Sequence, residues 1–371
     1  MKCKLCNFSG KFNKLITLKN FPRSAQYFLK KKDISKDSAI TLKVLQCPMC
    51  SLVQLNNKPP NNYKDVITAA SMTENSKKNL INEFSSIIKK YNLFNSNVVE
   101  IGSAKGDFLE VIESCGLNVT GIENSKKSIQ ISRQKGKNVL QGYLIDGLPT
   151  KKKFGLAICN NFLEHQPNIK KFLLEVNTIL KPEGYVYFSV PSLKRIVEKS
   201  CLYEFVSDHL VYFTKETLRR SFENTGFEVK DIYYKNNEND IVLIGRKRKL
   251  LDLSIEKIKM NEILRSLKEY VTKIKNKNLN ISIWGAGHRS LAAMSLSKIK
   301  EIDFIVDSAV FKQGFYSPIL HKKIISPEEF LRSKCDVIIL MLPGDYSKQV
   351  EKFLKNNQFN GKIIAFKDDV I

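Results

Sequence analysis

Two cysteine pairs, Cys3-x2-Cys6 and Cys47-x2-Cys50, put four thiols at the two-residue spacing that lets both members of a pair reach one ion. Four thiolates suit a tetrahedral Zn2+ closed to solvent. Such a metal is structural, because four sulfur ligands leave no coordination position for chemistry. Redox use of either pair would need a strand-helix-strand surround, and neither pair has one. The remaining cysteines, Cys115, Cys159, Cys201 and Cys335, are scattered and read as small buried hydrophobes. The chain opens Met1-Lys2-Cys3 without the apolar stretch and small-residue cleavage site of a secretory signal, so the expected location is the cytoplasm and no disulfide framework is expected.

A second group of residues is built for a ligand. Val98-Val99-Glu100-Ile101 is an apolar strand, Gly102-Ser103-Ala104-Lys105-Gly106 a turn with two glycines, and Asp107-Phe108-Leu109 the start of a helix. Glycines let the backbone turn tightly and come close to a molecule lying over the strand ends. Glu123 closes the next strand, at the distance expected of a carboxylate that accepts hydrogen bonds from two ribose hydroxyls. Gly102, Ser103, Ala104, Gly106 and Glu123 are therefore the expected cofactor contacts. Their spacing is not the Gly-x-Gly-x-x-Gly of dinucleotide oxidoreductases. Downstream, a fourth strand ends at Asn160-Asn161-Phe162-Leu163-Glu164-His165, a helix carries Phe172-Leu173 and Val176, and Leu180-Lys181-Pro182-Glu183-Gly184 leads into Tyr185-Val186-Tyr187-Phe188. This order resembles the class I S-adenosylmethionine-dependent methyltransferases. The resemblance implies S-adenosylmethionine as cofactor, with the loop at Asn160 facing its sulfonium and methionine. His165, in a Glu-His pair common in that superfamily, has a structural and a catalytic reading.

The elements that must hold these groups fall into blocks along 371 residues, a length that suits more than one core. Residues 1–60 contain both cysteine pairs and end in the turn-rich Asn56-Asn57-Lys58-Pro59-Pro60. Residues 61–249 alternate helix and strand: a helix at Asn75–Tyr91, then strands at Val98–Ile101, Val119–Ile122, Val139–Tyr143, Leu156–Cys159 and Tyr185–Val190. Strands separated by helices of this length predict a parallel, doubly wound sheet. Residues 250–277 read as a connecting amphipathic helix, with Leu250, Leu253, Ile258, Ile263, Leu264 and Leu267 as its apolar positions. Residues 278–371 restart the pattern with Ile281–Trp284, Gly285-Ala286-Gly287, Ile302–Val306 and Val337–Met341. The expected fold is α/β, a class I methyltransferase Rossmann domain with a small amino-terminal zinc-binding domain and a carboxy-terminal Rossmann-like α/β domain.

In this arrangement the whole chain resembles the sugar C-methyltransferases that act on nucleotide-linked keto-deoxysugars. Cys47-Pro48-Met49-Cys50-Ser51-Leu52-Val53-Gln54 is similar to that family's Cys-x2-Cys-Gly-Leu-Val-Gln stretch. Trp284-Gly285-Ala286-Gly287-His288, Val306-Asp307, Lys312-Gln313-Gly314 and Ser317-Pro318 are similar to its carboxy-terminal signature. The family's Tyr-His-Glu-His-x2-Tyr-Phe corresponds to Val206-Ser207-Asp208-His209-Leu210-Val211-Tyr212-Phe213, with Val206 for the first tyrosine and Asp208 for the glutamate. The resemblance implies that His209, oriented by Asp208, is a base taking a proton from carbon beside a ketone, or from a hydroxyl. The other reading of His209 is a core residue beside an aromatic pair. A tyrosine-containing stretch that the family carries after its zinc domain has no clear counterpart around Ile67–Thr73. Gly285-Ala286-Gly287 with Asp307 outlines a second glycine turn, where the resemblance implies help in enclosing the sugar nucleotide; a purely structural or degenerate Rossmann turn and an independent NAD site are the other readings. His288, Arg289 and Lys312 are the expected substrate contacts, the last two as partners of its diphosphate.

The net charge of +24 does not overturn this reading, because lysine is spread through every segment and Lys30-Lys31-Lys32 is the one run in the first block. Spread lysine fits a solvated surface and an AT-rich coding bias better than a nucleic-acid groove. A basic zinc-containing nucleic-acid-binding protein and an O-methyltransferase on the same scaffold are the two alternatives. No apolar run approaches the ~18 residues of a membrane span, so no membrane insertion is expected.

Overall fold

In the computed structural model, which describes residues 1–23, 29–58, 72–148 and 150–366, the hydrophobic strands expected of the first glycine turn lie at the centre of a seven-stranded sheet. The chain divides into two compact units, Met1–Leu250 and Leu251–Ile371. The expected break at residue 60 falls inside the first unit; Pro60 itself and most of the stretch around Ile67–Thr73 lie outside the described residues.

The first unit opens with β1 (Asn13–Phe21), β2 (Ile40–Gln46) and β3 (Val53–Leu55), followed by α1 (Glu74–Tyr91). The parallel part follows as β4 (Asn97–Ile101), α2 (Asp107–Ser114), β5 (Asn118–Glu123), α3 (Lys126–Gln134), β6 (Val139–Gln141), β7 (Phe154–Asn160), α4 (Ile169–Ile179) and β8 (Leu180–Pro191). Then come α5 (Leu193–Glu198), β9 (Val211–Tyr212), α6 (Lys215–Glu223), β10 (Phe227–Lys235) and β11 (Asp240–Lys247). The large sheet has the order β10-β11-β8-β7-β4-β5-β6, parallel from β8 to β6, with β10 and β11 antiparallel at one edge.

Period-two alternation explains why these strands read as unbroken apolar runs. Val98, Leu156, Ile158 and Tyr187 pack on one face with Phe84 of α1 and Phe108 and Ile112 of α2. Val99, Ala157, Cys159 and Phe188 point to the other, against Phe172, Leu173 and Val176 of α4. A parallel sheet has helices on both faces and needs hydrophobic residues at both parities.

The amino-terminal residues do not form a separate body. Cys3, Leu5, Cys47 and Leu52 are buried in the same cluster as the α4 face of the large sheet. A four-stranded antiparallel sheet, β1-β2-β3-β9, takes its last strand from beyond the parallel region: Val53 pairs with Tyr212 and Gln54 with Val211.

The second unit has α7 (Ser254–Lys275), β12 (Ile281–Trp284), α8 (His288–Leu296), β13 (Ile305–Val306), β14 (Ile324–Ile325), α9 (Pro327–Leu331), β15 (Val337–Leu340), α10 (Tyr346–Asn356) and β16 (Lys362–Ala365). Its sheet, β14-β13-β12-β15-β16, is parallel throughout. Two expectations are corrected here. The strand expected at Ile302–Val306 is only Ile305–Val306. The helix expected to connect two domains belongs to this unit: Leu264, Leu267, Val271 and Ile274 are buried against Ile281 and Ile283, while Leu250, Leu253 and Ile258 are exposed. The apolar period continues past Leu267 and marks the packed half.

Candidate active site

The first glycine turn joins β4 to α2. Gly102 and Gly106 have φ values of +79° and +81°, in the left-handed region that side chains disfavour. A Cβ on Gly102 would also sit 3.1 Å from the Phe162 ring. Ala104 occupies the left-handed region without being glycine, at φ +44°. Two hydrogen bonds hold it there: its N–H donates to Glu123 Oε2 at 2.9 Å, and its carbonyl accepts from Ser132 Oγ at 3.3 Å. Strain of this kind, about 1–3 kcal/mol, persists where the surroundings impose it and is characteristic of ligand sites.

Glu123 lies at the end of β5, buried, and its Oε1 accepts from the N–H groups of Asn124 and Ser125 at 2.9 and 2.8 Å. Three main-chain donors thus fix the carboxylate plane. Beside it is a narrow recess lined by Ile101, Gly102, Ile122, Asn124, Tyr143 and Phe162. A fixed acid, an apolar slot and a backbone cradle that a Cβ would fill suit an adenosine with its ribose. The residues present therefore fit S-adenosylmethionine. Ser103 is buried just behind the turn, and its carbonyl accepts from Gly106 N–H at 2.9 Å.

On the other side of Gly102 opens a cavity of about 440 Å³. Its wall includes Gly102, Ala104, Asn160, Glu164, His165 and His209. Asn160 ends β7 and accepts from Ser189 Oγ on the neighbouring β8 at 2.7 Å. Gly102 and Ala104 of the expected turn, Asn160 and His209 are thus brought to one space, while Ser103 and Gly106 do not line it.

His209 is delivered there by the amino-terminal sheet. The 206–213 segment is held on one side by β3, through Leu55 N–H to the Leu210 carbonyl at 3.1 Å. On the other side Leu210 N–H donates to the Glu164 carbonyl at 2.8 Å. Asn57 Nδ2 donates to the Ser207 carbonyl at 2.8 Å, and Ser207 Oγ to the Arg23 carbonyl at 2.6 Å. The ring of His209 meets His165 edge to face, centroids 4.8 Å apart, and Tyr212 at 6.0 Å. Burial and the neighbouring His165 push the His209 imidazole down to about 3, so the ring is neutral at physiological pH. Burial lowers His165 as well. Asp208 is buried, and its main-chain carbonyl lies 2.8 Å from His165 Nδ1. That contact runs to the other histidine of the pair, not to the one it was expected to orient.

Two neighbours of the cavity escaped the sequence reading. Glu164 is fully buried with both carboxylate oxygens lacking a hydrogen-bond partner among the described residues, and burial raises it to about 8. Lys235 lines the wall and is paired with Glu83 of α1, which also accepts from Tyr187 and Tyr233. The Glu-His dipeptide was the available signal for the first; nothing in the sequence marked the second.

The cysteines form two matched knuckles. In each, the first cysteine's N–H donates five residues on (Cys3 to Phe8, Cys47 to Leu52) and its carbonyl accepts from the fifth residue of the turn (Asn7, Ser51). Asn7 and Ser51 share a φ of +63°. Cys3 Sγ and Cys50 Sγ are 3.6 Å apart, as are those of Cys6 and Cys47, and all four sulfurs lie within 4.8 Å of one another. A tetrahedral ion with metal–sulfur bonds of about 2.3 Å needs sulfurs about 3.8 Å apart. The four sulfurs can hold such an ion.

In the second unit the glycine turn Gly285-Ala286-Gly287 leads into α8, and Asp307 follows β13. Ala286 N–H donates to Asp307 Oδ2 at 2.8 Å. Lys312 Nζ pairs with the same oxygen at 3.0 Å. His288 is exposed at the first position of α8, and the Arg289 guanidinium lies over the Phe366 ring at 5.8 Å. Of the three expected substrate contacts, Lys312 is therefore engaged internally. No helix of the described residues is long and apolar enough to cross a membrane.

The chain is similar to known proteins over most of its length. Residues 58–232 match the family model described as a methyltransferase domain, and residues 256–366 match that described as a C-methyltransferase C-terminal domain. The chain is 22% identical over 397 aligned residues to the C-methyltransferase NovU of Streptomyces niveus, covering 96% of this chain and 93% of that one. Ubiquinone biosynthesis O-methyltransferase of Actinobacillus pleuropneumoniae is 27% identical over 114 residues, 27% of this chain and 48% of that protein. Among solved structures, an S-adenosylmethionine-dependent methyltransferase from Clostridium acetobutylicum is 14% identical with a TM-score of 0.39, covering 46% of this chain and 91% of the other.

Proposed function

The chain is an S-adenosylmethionine-dependent methyltransferase, and on that premise we propose that it methylates a carbon atom of a nucleotide-activated ketosugar, a cytoplasmic step in making a surface polysaccharide or glycoconjugate. The observation that carries this reading is a cavity whose wall contains both Gly102 and Ala104 of the glycine turn and His209. The likeness to a C-methyltransferase, which extends through the second unit, supports carbon over oxygen as the acceptor. The O-methyltransferase likeness covers 27% of the chain.

In this mechanism Gly102, Ser103, Ala104 and Gly106 shape the backbone around the cofactor, Glu123 receives its ribose hydroxyls, and Asn160 faces its methionine end. The cofactor, when bound, supplies an electrophilic methyl group. His209, neutral at working pH, takes the proton from the substrate carbon beside the ketone. The protein contributes further by holding the donor carbon and the methyl in line, which is worth several kcal/mol of barrier. In our reading Asp208 supports the histidine pair through its main chain, and Zn2+ on Cys3, Cys6, Cys47 and Cys50 is the structural ion that holds the two knuckles. His288 and Arg289 at the head of α8 offer donors to the substrate's diphosphate, and Lys312 joins them by releasing Asp307. Nucleic acid is not a partner in this reading.

Incubation with S-adenosylmethionine labelled on the methyl group and a panel of nucleotide sugars, followed by NMR of the product, tests it. A labelled carbon bonded to carbon is the expected result; a methyl on oxygen identifies the O-methyltransferase alternative, and no transfer to any nucleotide sugar removes the substrate class. His209→Asn should leave S-adenosylhomocysteine affinity nearly intact and cut turnover by at least ~100-fold.

A further inference from the structure

A base with its pKa near 3 has little affinity for a proton, so something beside His209 must compensate the charge it acquires. Glu164 Oε1 lies 3.8 Å from His165 Nε2, and Glu164, His165 and His209 each bring one donor atom within 4.8 Å of the others. The carbonyl of Asp208 can only accept, so His165 Nδ1 carries the hydrogen of that 2.8 Å contact. His165 Nε2 is then a bare lone pair turned toward a carboxylate oxygen. Two acceptors facing each other in a buried place call for a proton between them or a cation beside them.

We propose that Glu164 is the counter-charge of the histidine pair: its ionised carboxylate stabilises, through the His165–His209 contact, the proton that His209 takes from the substrate. This rests on the base role of His209 given above. As the substrate C–H bond breaks, the proton forms an N–H bond on His209 and the electron pair stays on the substrate carbon to bond the methyl carbon. The C–S pair leaves on sulfur as the neutral thioether. The proton remains in the cluster, matched by the Glu164 carboxylate, until it is released to bulk solvent.

The groups facing Glu164 set when it ionises and leave the histidines as its nearest basic neighbours. Asp240 of β11 opposes its ionisation, and burial keeps Cys159 of β7 and Tyr212 of β9 neutral. Lys235 on the same wall is committed to Glu83. No cation therefore competes with the histidines for the carboxylate among these neighbours. Burial raises the Glu164 carboxyl to about 8, so its ionised form gains population as pH rises through that value. Turnover should accordingly rise as pH increases through about 8. Glu164 acts through the histidines and is a positioning residue.

Histidine-selective NMR titration of the full-length, metal-loaded protein tests this without any substrate. The chain has four histidines, and His165→Asn and His209→Asn assign the two of interest. In the unmodified protein one resonance of the pair should move with a midpoint near 8. Glu164→Gln should abolish that step, Glu164→Asp should retain it at a shifted midpoint, and the alkaline rise in turnover should disappear in Glu164→Gln together with at least ~30-fold of rate. Identical histidine titrations in the unmodified protein and both variants overturn the proposal. So does a second bound metal ion per chain that is lost in Glu164→Gln, because the cluster would then be a ligand set. If Glu164→Gln does not fold, an unshifted midpoint in Glu164→Asp has the same force. A histidine result as expected with no nucleotide sugar methylated supports the counter-charge and places the failure in the substrate reading.

Discussion

The two glycine turns of this chain are built alike and equipped differently. In both, a strand runs into a glycine turn and a helix, and an acid at the next strand end accepts the N–H of an alanine in the turn: Ala104 to Glu123, Ala286 to Asp307. Glu123 is then held by two more main-chain donors; Asp307 has one more, Ala309 N–H, and shares the oxygen bonded to Ala286 with the ammonium of Lys312. Gly102 is pressed against Phe162 beside a cavity. Gly287 has ordinary backbone and no atom within 4 Å of where a Cβ would go, and only Gly285, at φ +113°, is conformationally required. Shared backbone geometry makes a turn; the partners gathered around the acid set the two apart. The second turn has its own cation where the first would receive a ligand.

The sharpest way to break this comparison is to add one methyl group to each turn. Gly102→Ala should weaken S-adenosylhomocysteine binding by at least ~100-fold by calorimetry, through the combined cost of positive φ and the Phe162 contact, while Gly287→Ala leaves it unchanged. Equal losses would mean that the second turn also bears on the cofactor. A smaller effect is expected from the acids. Glu123→Gln puts a donor where one N–H now points and should cost ~30-fold in the same assay, about 2 kcal/mol. Asp307→Asn should leave affinity within ~3-fold and instead lower the melting of the second unit, by less than about 1 kcal/mol for a partly exposed pair. Smaller still is the expected result of chelating the Zn2+ that we propose the cysteines hold. Loss of the knuckles loosens β3 and the segment paired to it, so turnover should fall ~10-fold with cofactor affinity nearly kept and the melting of the second unit untouched.

Local signals were legible and distant ones were not. Val98–Ile101, Gly102, Gly106 and Glu123 could be read because strand, turn and acid lie within one short stretch with its own periodicity. The cysteine spacing was equally readable. What escaped were pairings between residues far apart in sequence: β3 with β9, which carries His209 to the cavity, and the antiparallel β10–β11 edge. Burial state escaped too. Glu164 looks like any glutamate in a loop until β7, β11 and the 206–213 segment close over it. The helix at 254–275 was read as a connection because its exposed leading residues, Leu253 and Ile258, carry the same apolar period as its packed half.

The pairing of β3 with β9 also imposes an order on how the protein is made. A ribosome adding roughly 5–20 residues per second completes β3 on the order of ten seconds before β9 emerges. Throughout that interval the newly made amino-terminal sheet has an unpaired strand edge, the kind that recruits other chains. Early capture of metal by the two cysteine knuckles would hold the nascent sheet in register until its last strand arrives. Cells short of that metal should accumulate this protein in aggregates or on chaperones before they accumulate it as an inactive enzyme.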